Sequence, residues 1–489
     1  MVGRSHQGFQ LISVHHTSTA GVLGELSGFR EAFYGCLTAR ADVLFELTDA
    51  ALCADGPVTS LVELSLEPEH RRGHGSLYEG LNQGGIDIGR FRNVVARQQV
   101  PRFDDDRIML AIDVSNWLRP DANTSPQRLF CHTYARGKGQ AQMIPGWPYS
   151  FVAALEPGRT SWTALLDVVR MRPDDDHTDL AATQLRTVVE ALITAGHWHE
   201  GDPEIWIIGD SGYDGPRLAF LLADLPVQIL VRLRSDRVLA FPAPPRPPGT
   251  RGRPTRHGAR FAFADPQTWP APAHTTTTDT TRYGTAATQS WDRLHPTLTR
   301  TGAWAGHDDP LPIIEGTVIR LRVDRLPGTG TPKPLWLWHS ATAATTDTVD
   351  RLWQMFLRRF DLEHTFRFLK QTLGWTTPRT RTPEAADRWT WLVLAAYTQL
   401  RLARHLVEDL RRPWEPRAAT PARLSPARIR RGFRRVRPAT AIPATPPKPS
   451  RPGPGRPARS RNCRRAPQHD PGKTTKRTSR VKTQAKRAF

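Results

Sequence analysis

The chain has 489 residues, 24% of them charged, and a formal net charge of +21 at pH 7. That length can bury two or three cores, and the absence of any run of about 18 apolar residues excludes a membrane-spanning helix. The N-terminus has no basic stretch leading into an apolar one, so no secretory leader is expected, and four scattered cysteines without a Cys-x-x-Cys pair argue against disulfides or structural zinc and for a reducing cytoplasm.

Residues 1–105 read as an N-terminal helical domain. Leu23, Leu26, Phe29, Phe33 and Leu37, then Val43, Leu44 and Leu47, recur at three- and four-residue steps. The basic stretches "HRRGHG" and "GRFRNVVARQQVPR" supply enough arginine to touch DNA.

From 106 to 238 the pattern changes. "RIMLAIDVSNWL", "RLFCHTYA" and "YSFVAALE" are strand-like and separated by turn residues. The amphipathic helix "TDLAATQLRTVVEALITAG", the strand "EIWIIGD", a short helix over 216–225 and the strand "VQILVRLR" follow. The order β-β-β-α-β-α-β predicts an α/β sheet with some parallel pairing. Residues 239–345 have a Pro/Gly/Arg-rich loop, a Thr-rich stretch and the strands "GTVIRLRVDRL" and "PLWLWHSA", which predicts a β-rich insertion. Helices return over 346–410.

Residues 411–489 hold 24 Lys and Arg against two acids, Glu415 and Asp470, so they carry +22 and the first 410 residues carry −1. Poor in large apolar residues, this segment is expected to be a disordered Arg/Pro-rich tail that gains affinity for phosphates by counterion release.

Three carboxylates stand out. Asp113 ends the first apolar run and Asp210 ends the fourth strand, and the carboxyl ends of strands in open α/β sheets are where chemistry gathers. Two acids there suit a hard divalent cation, although each alone also fits a turn or cap. Glu363 lies in "FLRRFDLEHTFRFLK", residues 356–370. Read as one helix, this segment puts Met355, Leu362, Phe366, Leu369 and Leu373 on an apolar stripe and Phe356, Arg359, Glu363 and Lys370 in a neighbouring band. An Arg359–Glu363 salt bridge would explain the pair structurally. The lysine is less ordinary, because the first 410 residues contain only three (Lys138, Lys333 and Lys370).

Phe356-x2-Arg359-x3-Glu363-x6-Lys370 resembles the Tyr-x2-Arg-x3-Glu-x6-Lys signature of bacterial cut-and-paste insertion-sequence transposases, of the DDE superfamily with an RNase H-like core. Phe replaces Tyr, which removes a hydroxyl. The segment Gly252–Gly258, Gly-Arg-Pro-x-x-His-Gly, is similar to transposases of actinobacterial type, and the preference for Arg over Lys suits a GC-rich genome. The resemblance spans roughly residues 25–410. It implies an RNase H-like mixed sheet flanked by helices, interrupted by the insertion, with the Glu-bearing helices of 346–410 completing the core. It implies that Asp113, Asp210 and Glu363 are catalytic and hold two Mg²⁺ ions about 4 Å apart, with Mn²⁺ able to substitute. Phe356, Arg359 and Lys370 would contact DNA, the two cations clamping phosphates. Trp336, with Trp338 on the same strand face, would match a tryptophan that stacks a flipped base in members that cut through a hairpin; packing in the core is the structural alternative. The implied partners are double-stranded DNA, as element ends and target, and a second copy of the chain in the DNA complex. The implied location is the bacterial cytoplasm, at the nucleoid.

Two other readings remain open here. A non-catalytic DNA-binding relic would be marked by loss of an acid, and all three are present. An acid/base hydrolase using Asp113 and Asp210 leaves Arg359 and Lys370 without a role.

Overall fold

The computed structural model describes residues 19–472, except 74, 135–140, 159, 250, 327–330, 419, 421–422, 450–456 and 460–464. Helix α1 (Thr19–Tyr34), strand β1 (Leu37–Ala39), α2 (Ala41–Cys53), α3 (Leu61–Leu64), α4 (Gly75–Gln83), β2 (Gly85–Ile86) and α5 (Ile88–Ala96) form the N-terminal part. Next come β3 (Met109–Leu118), β4 (Leu129–Tyr134), β5 (Ala141–Leu155), β6 (Thr163–Arg170), α6 (His177–Thr194), β7 (Ile205–Gly209), α7 (Gly215–Leu221) and β8 (Val227–Leu233). The insertion holds β9 (Val238–Pro242), β10 (His257–Ala262), β11 (His274–Thr280), β12 (Gly284–Leu294), β13 (Gly316–Val323) and β14 (Leu335–His339). Helices α8 (Thr346–Arg358), α9 (Phe360–Gln371), α10 (Pro383–Ala403) and α11 (Pro426–Val436) complete the chain.

Ten strands make one mixed sheet in the order β11-β12-β13-β14-β8-β7-β3-β5-β4, with β6 also on β5. The β3–β7 and β7–β8 pairs are parallel and the others antiparallel. All five residues of β7 are buried, as expected for a parallel strand covered on both faces. This mixed α/β architecture is compatible with an RNase H-like fold. Four strands, not three, precede α6. The missed one, β6, reads poorly as a strand because Asp167 interrupts its apolar run; the carboxylate is buried and bonded by Arg92 at 2.7 Å.

The insertion is less separate than its composition predicts. Its strands β11–β14 extend the central sheet, because β14 pairs with β8 through Leu337↔Arg232 and Trp338↔Val231; only β9 and β10 form a ribbon of their own. Successive residues of β8 face opposite sides, and the helices follow. Gly215 of α7 packs on Val231 and Trp338. Asp350 of α8 accepts a bond from Thr278 of β11 at 2.7 Å on the other face.

Nor does the N-terminal helical part stand apart. Helix α10 is buried along nearly its whole length, and α1, α2, α4 and α11 all pack on it. Arg30 of α1 is fully buried, bonded to Asp49 at 2.7 Å, Gln399 at 2.6 Å and the Ala441 carbonyl at 2.7 Å. One apolar cluster therefore runs from Leu26 to Ala444.

The expected disordered tail needs correction over its first half. Helix α11 buries Ile429 and Phe433, and arginines in and just past it meet acids and a carbonyl of the N-terminal part. Arg434 reaches Glu69 at 3.2 Å, Arg437 reaches Asp49 at 2.7 Å, and Arg430 donates to the Ala51 carbonyl at 2.9 Å. Average composition concealed this, since two apolar anchors one turn apart and well-placed counter-ions suffice when a prepared surface exists. Residues 473–489 lie outside the described residues.

Truncation after Arg411 should therefore lower stability by about 3 kcal/mol or more, because it opens the Phe433 site, takes from Asp49 one of its two arginines and leaves Glu69 without Arg434. Truncation after residue 449 should cost less, since it spares every α11 contact and removes the backbone bonds of His469 and Gly472 and the His469 carbonyl that accepts from buried Arg128; thermal melts of the two forms check this.

A second expectation concerns acid. His339 on β14 is 1% exposed with neither ring nitrogen hydrogen-bonded. Burial pushes its pKa from 6.5 down to about 3, with Arg107 assisting. The unfolded chain takes up this proton below about pH 6.5 and the folded one resists until about 3, so stability falls as pH drops through that window. His339→Phe should flatten the loss between pH 7 and 4.5 in urea unfolding.

Candidate active site

Strands β3 and β7 run parallel through Ala111↔Ile208, so two residues further on Asp113 and Asp210 stand in neighbouring positions. Asp113 lies in the middle of β3 and not at its end, since pairing with β5 continues to Leu118. Its Oδ1 accepts from the Val114 amide at 2.8 Å. Asp210 is the first residue past β7, and its carbonyl accepts from the Tyr213 amide at 3.2 Å, closing a turn. Gly209 makes a close fit there: a Cβ would come 3.2 Å from the Tyr213 ring and 3.4 Å from Val231, so these side chains would have to give by a few tenths of an ångström.

The segment 356–370 is two helices. Arg359 sits at the junction of α8 and α9 as a tight turn, with its amide on the Phe356 carbonyl at 3.1 Å and the Leu362 amide on its own carbonyl at 3.0 Å. Arg359 itself keeps helical dihedrals, φ −54° and ψ −31°, and the i, i+4 relation of Arg359 to Glu363 survives across the junction. The break directs the Arg359 guanidinium inward between two aromatic rings, with Cζ 5.8 Å from the Phe356 centroid and 5.2 Å from that of Phe360. Arg359 is only 4% exposed.

Three carboxylates meet this cation. Nη1 hydrogen-bonds Asp113 Oδ2, while Nη2 lies 3.9 Å from Asp210 Oδ2 and 3.8 Å from Glu363 Oε1. The last two oxygens, sharing one nitrogen as neighbour, are thus at most about 8 Å apart. Burial raises the Asp113 pKa to about 6 against the pull of Arg359, and the charges of Asp210 and Glu363 add to the rise. Asp210 Oδ1 is buried without a hydrogen bond; its nearest cation is Arg232, at 3.9 Å. The Glu363 side chain is 53% exposed, more than a place at the core margin predicts. The cluster opens to solvent past this residue.

Among the described residues no three Asp, Glu, His or Cys side chains form a ready-made metal cage; the guanidinium occupies the space between these three acids. Their chemistry nonetheless fits a hard divalent ion. All the donors are carboxylate oxygens, and the buried Oδ1 of Asp210 accepts no hydrogen bond, with only Arg232 at 3.9 Å beside it.

Phe356 and Trp336 do not meet solvent as DNA contacts would. Phe356 is 2% exposed, because it supports the buried guanidinium. Trp336 is 3% exposed, and Phe263 stacks on it at 4.3 Å with rings 16° apart, where a flipped base would have to lie. Trp269 and Trp291 complete that aromatic cluster. Lys370 lies 5.6 Å over the Trp375 ring, and burial lowers its pKa. Among the described residues no acid lies within salt-bridge distance of it.

Three residues at the site escape the signature. Tyr213 is buried beneath the carboxylates; burial raises its pKa, with Asp113 adding. Its signal was the turn "DSGYD". Arg232 is the strand residue beside Asp210. Arg367 is exposed one helical turn past Glu363, legible from its i, i+4 spacing.

The model of the family described as DDE superfamily endonuclease matches residues 32–297. That is more than half of the chain, which belongs to this family. The matched span contains Asp113 and Asp210 and ends before Glu363. No curated protein matches the chain. Membership makes the chain a transposase-type nuclease in kind, a class that acts on DNA and generally uses divalent metals. No described helix is long and apolar enough to cross a membrane.

Trp336→Ala should cost about 3–5 kcal/mol of stability, as expected for a large ring removed from a packed cluster. A base-stacking role would instead leave the melt nearly intact and lower only the yield of hairpin-cleaved DNA.

Proposed function

We propose that the protein is a DNA transposase that cuts at the ends of its insertion sequence and joins the resulting 3′-OH ends to target DNA. The observation that carries this is the convergence of Asp113, Asp210 and Glu363, from two adjacent parallel strands and a separate helix, on one buried guanidinium. A structural salt bridge needs one acid, and three acids about Arg359, with Arg232 the one further cation beside Asp210, leave negative charge in excess. Asp113, Asp210 and Glu363 would hold two Mg²⁺ ions, which activate the attacking water or 3′-OH and stabilise the leaving oxygen of an in-line displacement.

The rest follows from this chain's own side chains. Asp113 and Asp210, anchored on paired strands, keep a rigid edge; Glu363, on the exposed side of α9, closes the cluster toward the substrate. Arg367 and Lys370 lie on the same helix beyond Glu363 and would take the phosphates flanking the scissile bond, and Arg232 would do so beside Asp210. The protein would work at the bacterial nucleoid as a homodimer, one copy on each element end. The branch with the Tyr-x2-Arg-x3-Glu-x6-Lys signature, of actinobacterial type, is the nearest fit to the residues. The relic reading is disfavoured because no acid of the three is missing.

Cleavage of a duplex bearing the element's own ends, in Mg²⁺ and in EDTA, tests the proposal. Glu363→Gln should abolish cutting while a gel shift still detects DNA binding. Lys370→Ala should fold normally and cut roughly ten- to a thousandfold more slowly, as for loss of one preorganised charge contact. A Glu363→Gln protein cutting at the wild-type rate would overturn the mechanism.

A further inference from the structure

We infer that Arg359 is the resting counter-ion of the carboxylate cluster, and that a DNA phosphate must draw it away before divalent ions bind fully. This rests on the two-metal reading above and adds a control of that site: metal binding is coupled to DNA.

Placement of the guanidinium carries the argument. It occupies the space among Asp113, Asp210 and Glu363, touching all three, and a divalent ion bound by the same oxygens would have to share that space with a positive charge. Yet the fit is loose. Only Asp113 is at hydrogen-bonding distance, the other two contacts are 3.8 and 3.9 Å, and Arg359 Nε has no partner. A fork whose donors are incompletely met is one that a better anion can capture, and a phosphate offers two oxygens that the planar guanidinium can bond bidentately. The way out is also present. Glu363 is 53% exposed and Phe360, 5.2 Å from the guanidinium carbon, is 40% exposed, so the cation is flanked by two side chains that reach solvent, and the exposed Arg367 lies one turn further along the same helix, where DNA would lie. If phosphate and carboxylates compete for one cation, DNA tightens metal binding, and by linkage metal tightens DNA binding by the same factor.

Mn²⁺ binding to the full chain, read from the spin-resonance signal of the free ion, tests this without any cleavage. A short duplex would be present or absent, with the ions held by duplex alone subtracted. Wild type should bind Mn²⁺ at least tenfold more tightly with the duplex than without. Arg359→Gln should bind it at least tenfold more tightly than wild type in the absence of DNA, and the duplex should then add less than threefold. Equal Mn²⁺ affinity of wild type with and without duplex overturns the coupling on its own, so the result stands even if the variant folds poorly. An Arg359→Gln protein that folds but binds no more tightly than wild type also overturns it. Asp210→Asn separates the two readings. If that change leaves Mn²⁺ binding untouched, the carboxylate metal site itself is wrong; if it removes binding while Arg359→Gln gains nothing, only the counter-ion role fails.

Discussion

A guanidinium that is 4% exposed has to be surrounded by acceptors or its burial would unfold the protein. Arg359 meets that constraint with carboxylates from three separate parts of the chain, and much of the architecture serves to bring them there. The β3–β7 pairing sets Asp113 beside Asp210. The break between α8 and α9 turns Arg359 inward and leaves Glu363 one turn away at the surface. Phe356 and Phe360 hold the planar group from either side. Remove the parallel pairing or the helix break, and the acids no longer share a neighbour.

The insertion and the helices can be understood as support for this arrangement. By pairing with β8, β14 turns a strand that would have been an edge into an internal one, so the strand carrying Arg232 is buttressed on both sides. The aromatic cluster around Trp336 locks the β9–β10 ribbon onto that extension. On the other flank α9 lays Phe366 against Phe151 at 5.1 Å, and Phe151 is the β5 residue paired with Asp113. The strand that bears the first acid is thereby fixed from its neighbour and from the helix above.

Charge is distributed with similar economy. A chain of +21 could be pictured as a neutral enzyme with a polycationic tail. Instead, Arg434 of α11 answers Glu67 and Glu69 between α3 and α4, Arg437 just past α11 answers Asp49 of α2, and Arg401 and Arg404 hold Glu156 at the end of β5. Much of the basic excess of residues 411–449 is therefore structural. Partly buried pairs of this kind are costly to break, because each leaves a charge behind without a partner.

How much of this could be read in advance depends on the range of the interactions. The alternation of short apolar runs with amphipathic helices foretold a mixed α/β sheet, since strand and helix periodicities are local. The ends of apolar runs marked Asp113 and Asp210, and the oddity of an acid among cations marked Glu363. What local pattern could not carry was contact between distant segments. Nothing in "TALLDVVR" announces that Arg92 will offset the burial of Asp167, and nothing in "PLWLWHSA" announces that Phe263, far earlier in the chain, will cover Trp336. The junction at Arg359 was hidden because its residues are all competent helix formers and Arg359 keeps helical dihedrals; only the i to i−3 hydrogen bonds mark it. Residue types and spacings determined which groups this protein could bring to a site. Tertiary packing decided which of them face substrate and which face the core, because burial and charge pairing depend on neighbours that are close only once the chain has folded.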